Sequence, residues 1–592
     1  MRAHYLVEYM RLASESTATP LDLQVESTPD LHFTIKSADL ASRWQLLYVA
    51  IRDSAILRGK DIRLSGNNGR PLRWLIDVRR LFLNADVLEA FAEIFCTHFA
   101  HRLPFQVGGM ETSAIPFVTA ILLKMSARGT PINGFMIRKE RKLYGTGNHI
   151  EGIINELPII LVDDIVNSGG SLEKALLALE QENRAADMAF VLVDYHSETG
   201  NIWRERRKMV VRSVFNLADF GLAVKKNKKR QANVIFRNIW SFNSPNANFF
   251  HRVPKSFPAT DGIRVYFGSD CGTFWCLNAD DGSVVWRFEV NSGGSKNIWS
   301  APAIDRGRVY FGSYDGNVYC LSAETGTELW RHIAADWIGS SPALAPELNL
   351  LFIGLEFSIE GKCGSIVALD LDTGETVWQH MTRRFTHASP AYWKERQLVA
   401  CGSNDNEMFL FDARTGDLRW RFTTRGSIRH APAFDTKRGH LVTGCAQGYV
   451  YIVDVDTGIE VWSFKTNNSI YTIPLVVGNA AYVGSTDKNL YVLDLNDKIV
   501  KKTIFVGSMI FCPPRLLDGR IYFGACNGKV YELDRFTAEI TGVHQLVDAV
   551  TNALTYSPTT GYLYALTYMN QLFAFSRVCT ETTTANAEHG TT

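Results

Sequence analysis

The sequence predicts two unlike folds in series: an α/β unit with a parallel sheet flanked by helices, then an all-β propeller. Two observations carry this. Residues 159–171, IILVDDIVNSGGS, pass from an apolar run into two adjacent carboxylates, a Ser/Gly-rich loop and a helix start. From residue 264 to about 577 a strand-and-turn phrase recurs, with marker glycines 40 to 48 residues apart. At 592 residues the chain is also too long for a single hydrophobic core.

The first element is strand–loop–helix. In SLEKALLALE, Leu172, Ala175, Leu176 and Leu179 form one stripe, the spacing of a helix face packed on a sheet. Such a turn aims backbone N–H groups and the positive end of a helix dipole at one point, which suits a phosphate. Asp163 and Asp164 just before it can accept hydrogen bonds from hydroxyls or hold a metal. A phosphate on one side and a hydroxyl-rich ring on the other describe a ribose 5-phosphate site. The stretch has neither GxGxxG nor GK[ST], so it is neither a dinucleotide loop nor a P-loop.

The stretch resembles the phosphoribosyl-diphosphate (PRPP) loop of type I phosphoribosyltransferases, and three upstream segments resemble the orotate phosphoribosyltransferase kind. VGGMETSAIP at 107–116 is similar to the loop that wraps diphosphate, with Pro116 where a helix would begin. FMIRKERKLYGTGNHIEG at 135–152 is similar to the mobile catalytic loop, and FTIKSA at 33–38 to the substrate-side lysine motif. WLIDVR at 74–79 also has the family's look, and the resemblance covers roughly residues 30–220. It implies catalytic roles for Asp163, Asp164, Arg138, Lys139 and Lys142. It implies PRPP binding by Gly108, Gly109, Asn167, Ser168, Gly169, Gly170 and Ser171, and a base side formed by Lys36 and Tyr195. Mg²⁺ is expected, held by Asp163 and Asp164 indirectly through PRPP oxygens, and the family's loop geometry implies a homodimer.

The sequence departs from the orotate pattern at three places. Tyr144 stands for a His, Asn167 for a Thr, and Tyr195 for the Arg that faces the orotate carboxylate. A tyrosine cannot make a bidentate charge pair with a carboxylate. The expected activity is therefore transfer of ribose 5-phosphate from PRPP to another nitrogenous, pyrimidine-like base. The alternative is a catalytically impaired PRPP- or nucleotide-sensing regulator.

The second element is the repeat. RVYFGSDCGTFWCLNADDGSVVW, RVYFGSYDGNVYCLSAETGTELW and HLVTGCAQGYVYIVDVDTGIEVW share one pattern. The marker glycines are Gly268, Gly312, Gly354, Gly402, Gly444, Gly484 and Gly524. Trp286, Trp330, Trp420 and Trp462 follow their glycines by 18 residues, and Trp378 follows by 24 because EFSIEGKC adds a hairpin insertion. Alternating short runs broken by Asp-Gly and Thr-Gly mean strand and turn, and this period means a β-propeller. The unit resembles the quinoprotein (PQQ)-type repeat. PQQ itself is not expected, since Cys271 and Cys276 are not adjacent. The tryptophans are expected to pack between blades.

A degenerate copy beginning at Gly561 lacks its outer strand, and NVIFRNIWSF at 233–242 is an unpaired apolar strand ahead of the first repeat. Supplying that strand would close the ring and remove its edges. Eight blades are expected, with seven as the alternative. The propeller is expected to bind a protein partner. Arg383, Arg384, Arg425 and Arg429 are loop arginines that could line one face and recruit an anion, or simply be solvated.

The expected domains are 1–222, a basic linker 223–236 containing KKNKKR, the propeller 237–578 and a disordered tail 579–592. Sixty-two basic against 61 acidic residues give no global reason to expect nucleic acid. The ten cysteines show no paired spacing. MRAHYLVEYMRLASES lacks a signal-type apolar stretch and no run suits a membrane span, so a cytoplasmic chain without membrane contact is expected.

Overall fold

The computed structural model describes residues 37–58, 74–139, 149–223, 234–244, 256–290, 297–333, 335–358 and 362–579. Lys36, Lys142, Tyr144, the run KKNKKR and nearly all of the tail lie outside the described residues.

The α/β half is built on a six-stranded sheet. Its strands are β3 (Gln106–Met110), β4 (Asn133–Ile137), β5 (Ile150–Gly152), β6 (Ile159–Val166), β7 (Met188–Asp194) and β8 (Val211–Asn216). The order is β5-β4-β3-β6-β7-β8, parallel except for β5. A short antiparallel pair, β1 (Ile56–Arg58) and β2 (Trp74–Ile76), precedes it. The five α-helices among the described residues are α1 (Ala38–Ala50), α2 (Ala85–Phe99), α3 (Ala114–Ala127), α4 (Gly170–Gln181) and α5 (Glu198–Arg207).

Strand alternation explains the layering. Ile160, Val162, Phe190 and Leu192 face one way and pack with residues of α1, α2 and α3. Ile159, Leu161, Ala189 and Val191 face the other way and pack with Leu172, Ala175, Leu179 and Trp203 of α4 and α5. Both faces are buried, as parallel sheets require. The Leu stripe of α4 therefore does what its spacing predicts: Leu172, Ala175, Leu176 and Leu179 are all buried.

The second half is an eight-bladed propeller. Seven blades are consecutive four-stranded antiparallel units: blade 1 (259–289), blade 2 (303–333), blade 3 (343–382), blade 4 (391–423), blade 5 (433–465), blade 6 (475–505) and blade 7 (515–545). Blade 8 takes three strands from residues 555–579 and its outer strand from β9 (Val234–Asn243). Leu572 pairs with Phe242 and Arg577 with Phe236 along that closure. The ring is thus closed by the strand that precedes the first repeat, and the seven-bladed alternative is set aside. β9 already begins at Val234, ahead of the expected propeller start at 237.

The repeat's tryptophans latch blade to blade. The indole N–H groups of Trp286, Trp330, Trp378 and Trp420 donate to backbone carbonyls of Ala323, Leu371, Ala413 and Val455 in the following blade, at 3.1, 3.0, 2.9 and 2.7 Å. Lys502, which replaces the tryptophan in blade 6, donates to Thr537 O and Ala538 O at 3.1 and 2.8 Å instead. Trp240 on β9 makes the same bond to Ala279 O of blade 1 at 3.1 Å and completes the circle. The insertion in blade 3 lengthens two strands, Leu350–Phe357 and Cys363–Asp370.

The halves touch through α4 and the end of the 135–152 segment. His149 Nε2 lies 3.2 Å from Asp548 Oδ1, with both side chains buried, and Gln181 Nε2 donates to Gln571 Oε1 at 2.9 Å.

Candidate functional site

Of the residues singled out from the sequence, those the structure describes lie on or just beyond β3, β4, β6 and β7, toward the carboxyl ends where open α/β sheets place ligands. β6 carries Asp163 and Asp164 on its last turn of pleat, so they point to opposite sides. The structure divides their roles. Asp163 is 2 % exposed, and its Oδ1 accepts from Ser113 Oγ and from the Asp164 amide, each at 2.9 Å. Asp164 is half-buried, with Oδ1 accepting from the Ile165 amide at 2.8 Å. Burial, reinforced by Asp164, pushes the Asp163 carboxyl above the ordinary carboxylate range. Burial raises Asp164 as well, against its own hydrogen bonds and the positive charge of Arg79.

The loop 167–170 leads from β6 into α4. Asn167, Ser168 and Ser171 are exposed, and Gly169 and Gly170 lie at the helix N-terminus. Gly169 has φ +79°, and a Cβ there would lie 2.3 Å from the Trp203 ring, so the turn admits only glycine. The loop is braced from behind. Ser197 Oγ donates to Asn167 O at 2.6 Å while capping α5 through the Gly200 amide. Below the loop Glu173 is buried and bound by Trp203 Nε1 at 2.7 Å and by Arg207 Nε and Nη2 at 2.8 and 2.9 Å. Burial alone would raise Glu173, but Arg207 and Arg206 hold it below the usual value.

The diphosphate-type segment sits beside this loop. Gly108 and Gly109 are inside β3 and buried, and the structure supplies a packing reason for both. A Cβ on Gly109 would lie 2.2 Å from Val162 O, and one on Gly108 would lie 2.3 Å from the Phe135 ring. Glu111 ties this segment to the residues that follow β4: its Oε1 accepts from the Lys139 amide at 2.9 Å. Arg138 Nε donates to Glu151 Oε1 at 2.8 Å, with Glu111 at 3.9 Å from its guanidinium. Lys142 falls outside the described residues.

On the base side, Tyr195 follows β7 and packs against Trp74 of β2, ring centroids 5.8 Å apart. Burial, with Asp164 nearby, drives the Tyr195 phenol above its usual value, so it stays neutral at physiological pH. Arg79 projects at the same edge, held by Asp77 Oδ1 at 2.8 Å. Lys36 is outside the described residues. Sequence reasoning missed Ser113, Trp74, Arg79, Glu173 and the Asp194–Arg204 pair, whose two N–O contacts are 2.6 Å. Ser113, Trp74 and Arg79 lie inside the quoted segments, but no local spacing reveals what Ser113 and Trp74 contact, because Asp163 and Tyr195 reach them only after folding.

A parallel sheet flanked by helices, with a braced helix N-terminus beside paired carboxylates, makes this half an α/β domain, here joined to an eight-bladed ring. Comparison with known proteins gives the families. The family model described as outer membrane protein assembly factor BamB matches residues 237–354 and 362–578. The orotate phosphoribosyltransferase of Methanothermobacter thermautotrophicus is 30% identical over 173 residues, 29% of this chain and 84% of that enzyme. That of Rhodopirellula baltica is 24% identical over 193 residues, 31% of this chain and 98% of that enzyme. BamB from Moraxella catarrhalis aligns with a TM-score of 0.46 at 18% identity, covering 60% of this chain and all of that one. The chain belongs to the BamB-type repeat family through more than half its length and, through its N-terminal part, to the orotate phosphoribosyltransferase family. Among the described residues no helix is long and apolar enough to cross a membrane.

Proposed function

We propose that the N-terminal domain transfers ribose 5-phosphate from PRPP to an uncharged, pyrimidine-like base and releases diphosphate. The observation that carries this reading is the 167–171 turn at the head of α4, exposed at Asn167, Ser168 and Ser171, with Asp164 at its side. In this reading the amides of residues 167–171 bind the 5-phosphate. Asp164 accepts from the ribose hydroxyls and balances positive charge growing at the anomeric carbon. Asp163, locked by Ser113 and the Asp164 amide, positions its neighbour. Arg138 and Lys139, with Lys142, neutralise the leaving diphosphate. Loop closure excludes water from the oxocarbenium-like sugar.

The residues fit Mg²⁺ held mainly by substrate. The described residues contain no group of three or more metal-ligating side chains, and Mg²⁺ is commonly bound by one or two carboxylates plus phosphate oxygens. Asp164 would contribute through PRPP oxygens, while Asp163, turned inward onto Ser113, would act only by positioning it, and the ion would supply charge neutralisation on the diphosphate.

Tyr195 bears on the acceptor. A neutral phenol packed at a tilt against Trp74 can hydrogen-bond a base carbonyl but offers no charge to a carboxylate. Diphosphate release from PRPP and Mg²⁺ tests this across bases. Turnover with a neutral pyrimidine and none with orotate is expected; fastest turnover with orotate would overturn the acceptor assignment.

A second reading is favoured by one observation. The return of the catalytic-type loop is fastened to the propeller by His149–Asp548. A PRPP sensor whose loop state is reported to the ring would bind PRPP yet release no diphosphate on any base. A homodimer through the transferase domain, a cytoplasmic location and a protein partner for the ring belong to the same proposal. Light scattering of the full chain at twice the monomer mass would support the dimer.

A further inference from the structure

The propeller carries a cationic cavity of about 610 Å³ formed by loops of blades 3, 4 and 5. Its walls are the loops that leave an outer strand for the next blade (383–385 and 425–429) and the turns between second and third strands (404–406 and 446–447). In a propeller these two loop types share one face. Asp548 and Gln571, which touch the transferase, belong to the same two types, so cavity and transferase occupy one face of the ring.

Among the described residues the cavity lining carries an excess of positive charge. Arg383, Arg384, Arg425, Arg429 and Lys362 line it, against two carboxylates, Asp405 and Glu407. Both carboxylates are spent on the protein's own donors. Asp405 accepts from the backbone amides of Glu407 and Arg383 at 3.2 and 3.1 Å. Glu407 is buried and accepts from Thr423 Oγ1 at 3.0 Å. Arg383 reaches Glu407 only at 4.0 Å with its side chain 75 % exposed. Arg425 lies over the Tyr449 ring at 4.6 Å and donates to its hydroxyl at 2.7 Å. Arg384 and Arg429 are exposed and form no ion pair among the described residues.

Two further features show what such a site would take. Asn404 lines the cavity with its side-chain oxygen buried and accepting no hydrogen bond among the described residues. A buried acceptor of this kind calls for a donor from a ligand or solvent. Phe385 presents a half-buried ring in the same wall, braced by Trp337 and His387 at centroid distances of 5.9 and 5.8 Å. Guanidinium groups match phosphate oxygens in pairs, an aromatic ring stacks on a base, and a lone acceptor reads an amino or hydroxyl donor. The volume is that of a small-molecule pocket, and the cations converge on a hollow instead of tracking across the face as a nucleic-acid strand would need.

We propose that this cavity binds a nucleoside di- or triphosphate, with the phosphates on Arg384, Arg429 and Lys362, the base on Phe385, and a donor to Asn404 Oδ1. The site is independent of the transferase reading.

Calorimetric titration of the full chain at physiological salt tests it, with ATP, tripolyphosphate, adenosine and a single-stranded oligonucleotide as probes. Saturable ATP binding is expected, with tripolyphosphate weaker and adenosine silent. Arg384→Ala and Arg429→Ala should each weaken ATP about tenfold, the loss typical of one charge-assisted contact. Both side chains are exposed, so an unchanged melting temperature is expected, and Arg384→Glu gives a second, larger loss without truncation. Asp164→Asn in the transferase should leave this binding intact, which separates the two sites. No saturable ATP binding up to ~1 mM would overturn the proposal. So would ATP affinity untouched by the arginine variants, tripolyphosphate binding as tight as ATP, or an oligonucleotide binding more tightly than ATP.

Discussion

In the transferase half the important side chains are held by partners far away in sequence, and in the propeller they are held by the next copy of themselves. Asp163 is gripped by Ser113, 50 positions upstream, and Glu173 by Trp203 and Arg207. Trp330 bonds into blade 3 just as Trp286 bonds into blade 2. The first arrangement concentrates consequence at a few positions. The second spreads it around a ring in which each blade stabilises its neighbour. In the propeller the repeated residues build the ring, whereas loop residues such as Arg384 and Asn404 vary from blade to blade and fall outside the pattern that makes the fold.

The largest effect is expected at Asp164→Asn. In the proposed transferase it should cut diphosphate release by roughly three orders of magnitude, the scale of losing one preorganised transition-state charge, with the fold retained. Coupled-assay turnover beside a melting curve checks it, and wild-type turnover would remove Asp164 from the site. Next is Gly169→Ala. Its Cβ would meet Trp203 at 2.3 Å from a backbone at φ +79°. A loss of about 2–4 kcal/mol in the transferase transition is expected, with the propeller transition unmoved. Trp330→Ala is the converse. It removes a half-buried indole and its bond to Leu371 O, and should lower the propeller's stability by about 2–3 kcal/mol without changing PRPP binding. Denaturant titration followed by domain-specific fluorescence separates the two.

Acid and base should also distinguish the halves. His430 and His544 of the propeller are buried, and burial depresses them to about 4 and about 3. A depressed folded value leaves the stability whole above the unfolded value near ~6.5 and removes it as pH falls toward the folded values. Each histidine then steepens acid unfolding by up to ~1.4 kcal/mol per pH unit. Asp163 has the opposite sign. Its folded value is raised by burial, so the folded transferase binds the proton more tightly, and stability declines as pH climbs above the unfolded carboxylate range of ~4. Asp163→Asn should therefore raise the transferase melting point at neutral pH and give no gain below ~pH 4. The smallest effect is expected at Lys502→Ala, about 1 kcal/mol, since the two carbonyls it serves can turn to water.

Much of this was legible in the chain itself. The IILVDDIVNSGGS phrase is local because the strand, the turn and the helix start it forms are consecutive. The propeller was legible because each blade must present the same face to its neighbours, so its residues recur at a fixed interval. Even the closing strand could be anticipated, since a copy without an outer strand and a strand without a copy leave two complementary edges. Illegible were Ser113 beneath Asp163, Trp74 beside Tyr195 and the His149–Asp548 clasp, because their partners meet only after the sheet and the ring have formed.

Local order, then, was written in the sequence: where a Gly-rich turn follows a strand and opens a helix, and how often a blade begins. The fold alone decided which of two adjacent carboxylates turns inward and which faces the open loop. It also decided that four arginines from two separate loops enclose one hollow on the face the transferase occupies. The reason is physical. Backbone geometry repeats over a few residues and leaves a pattern, whereas burial and charge pairing depend on neighbours that chain distance does not reveal.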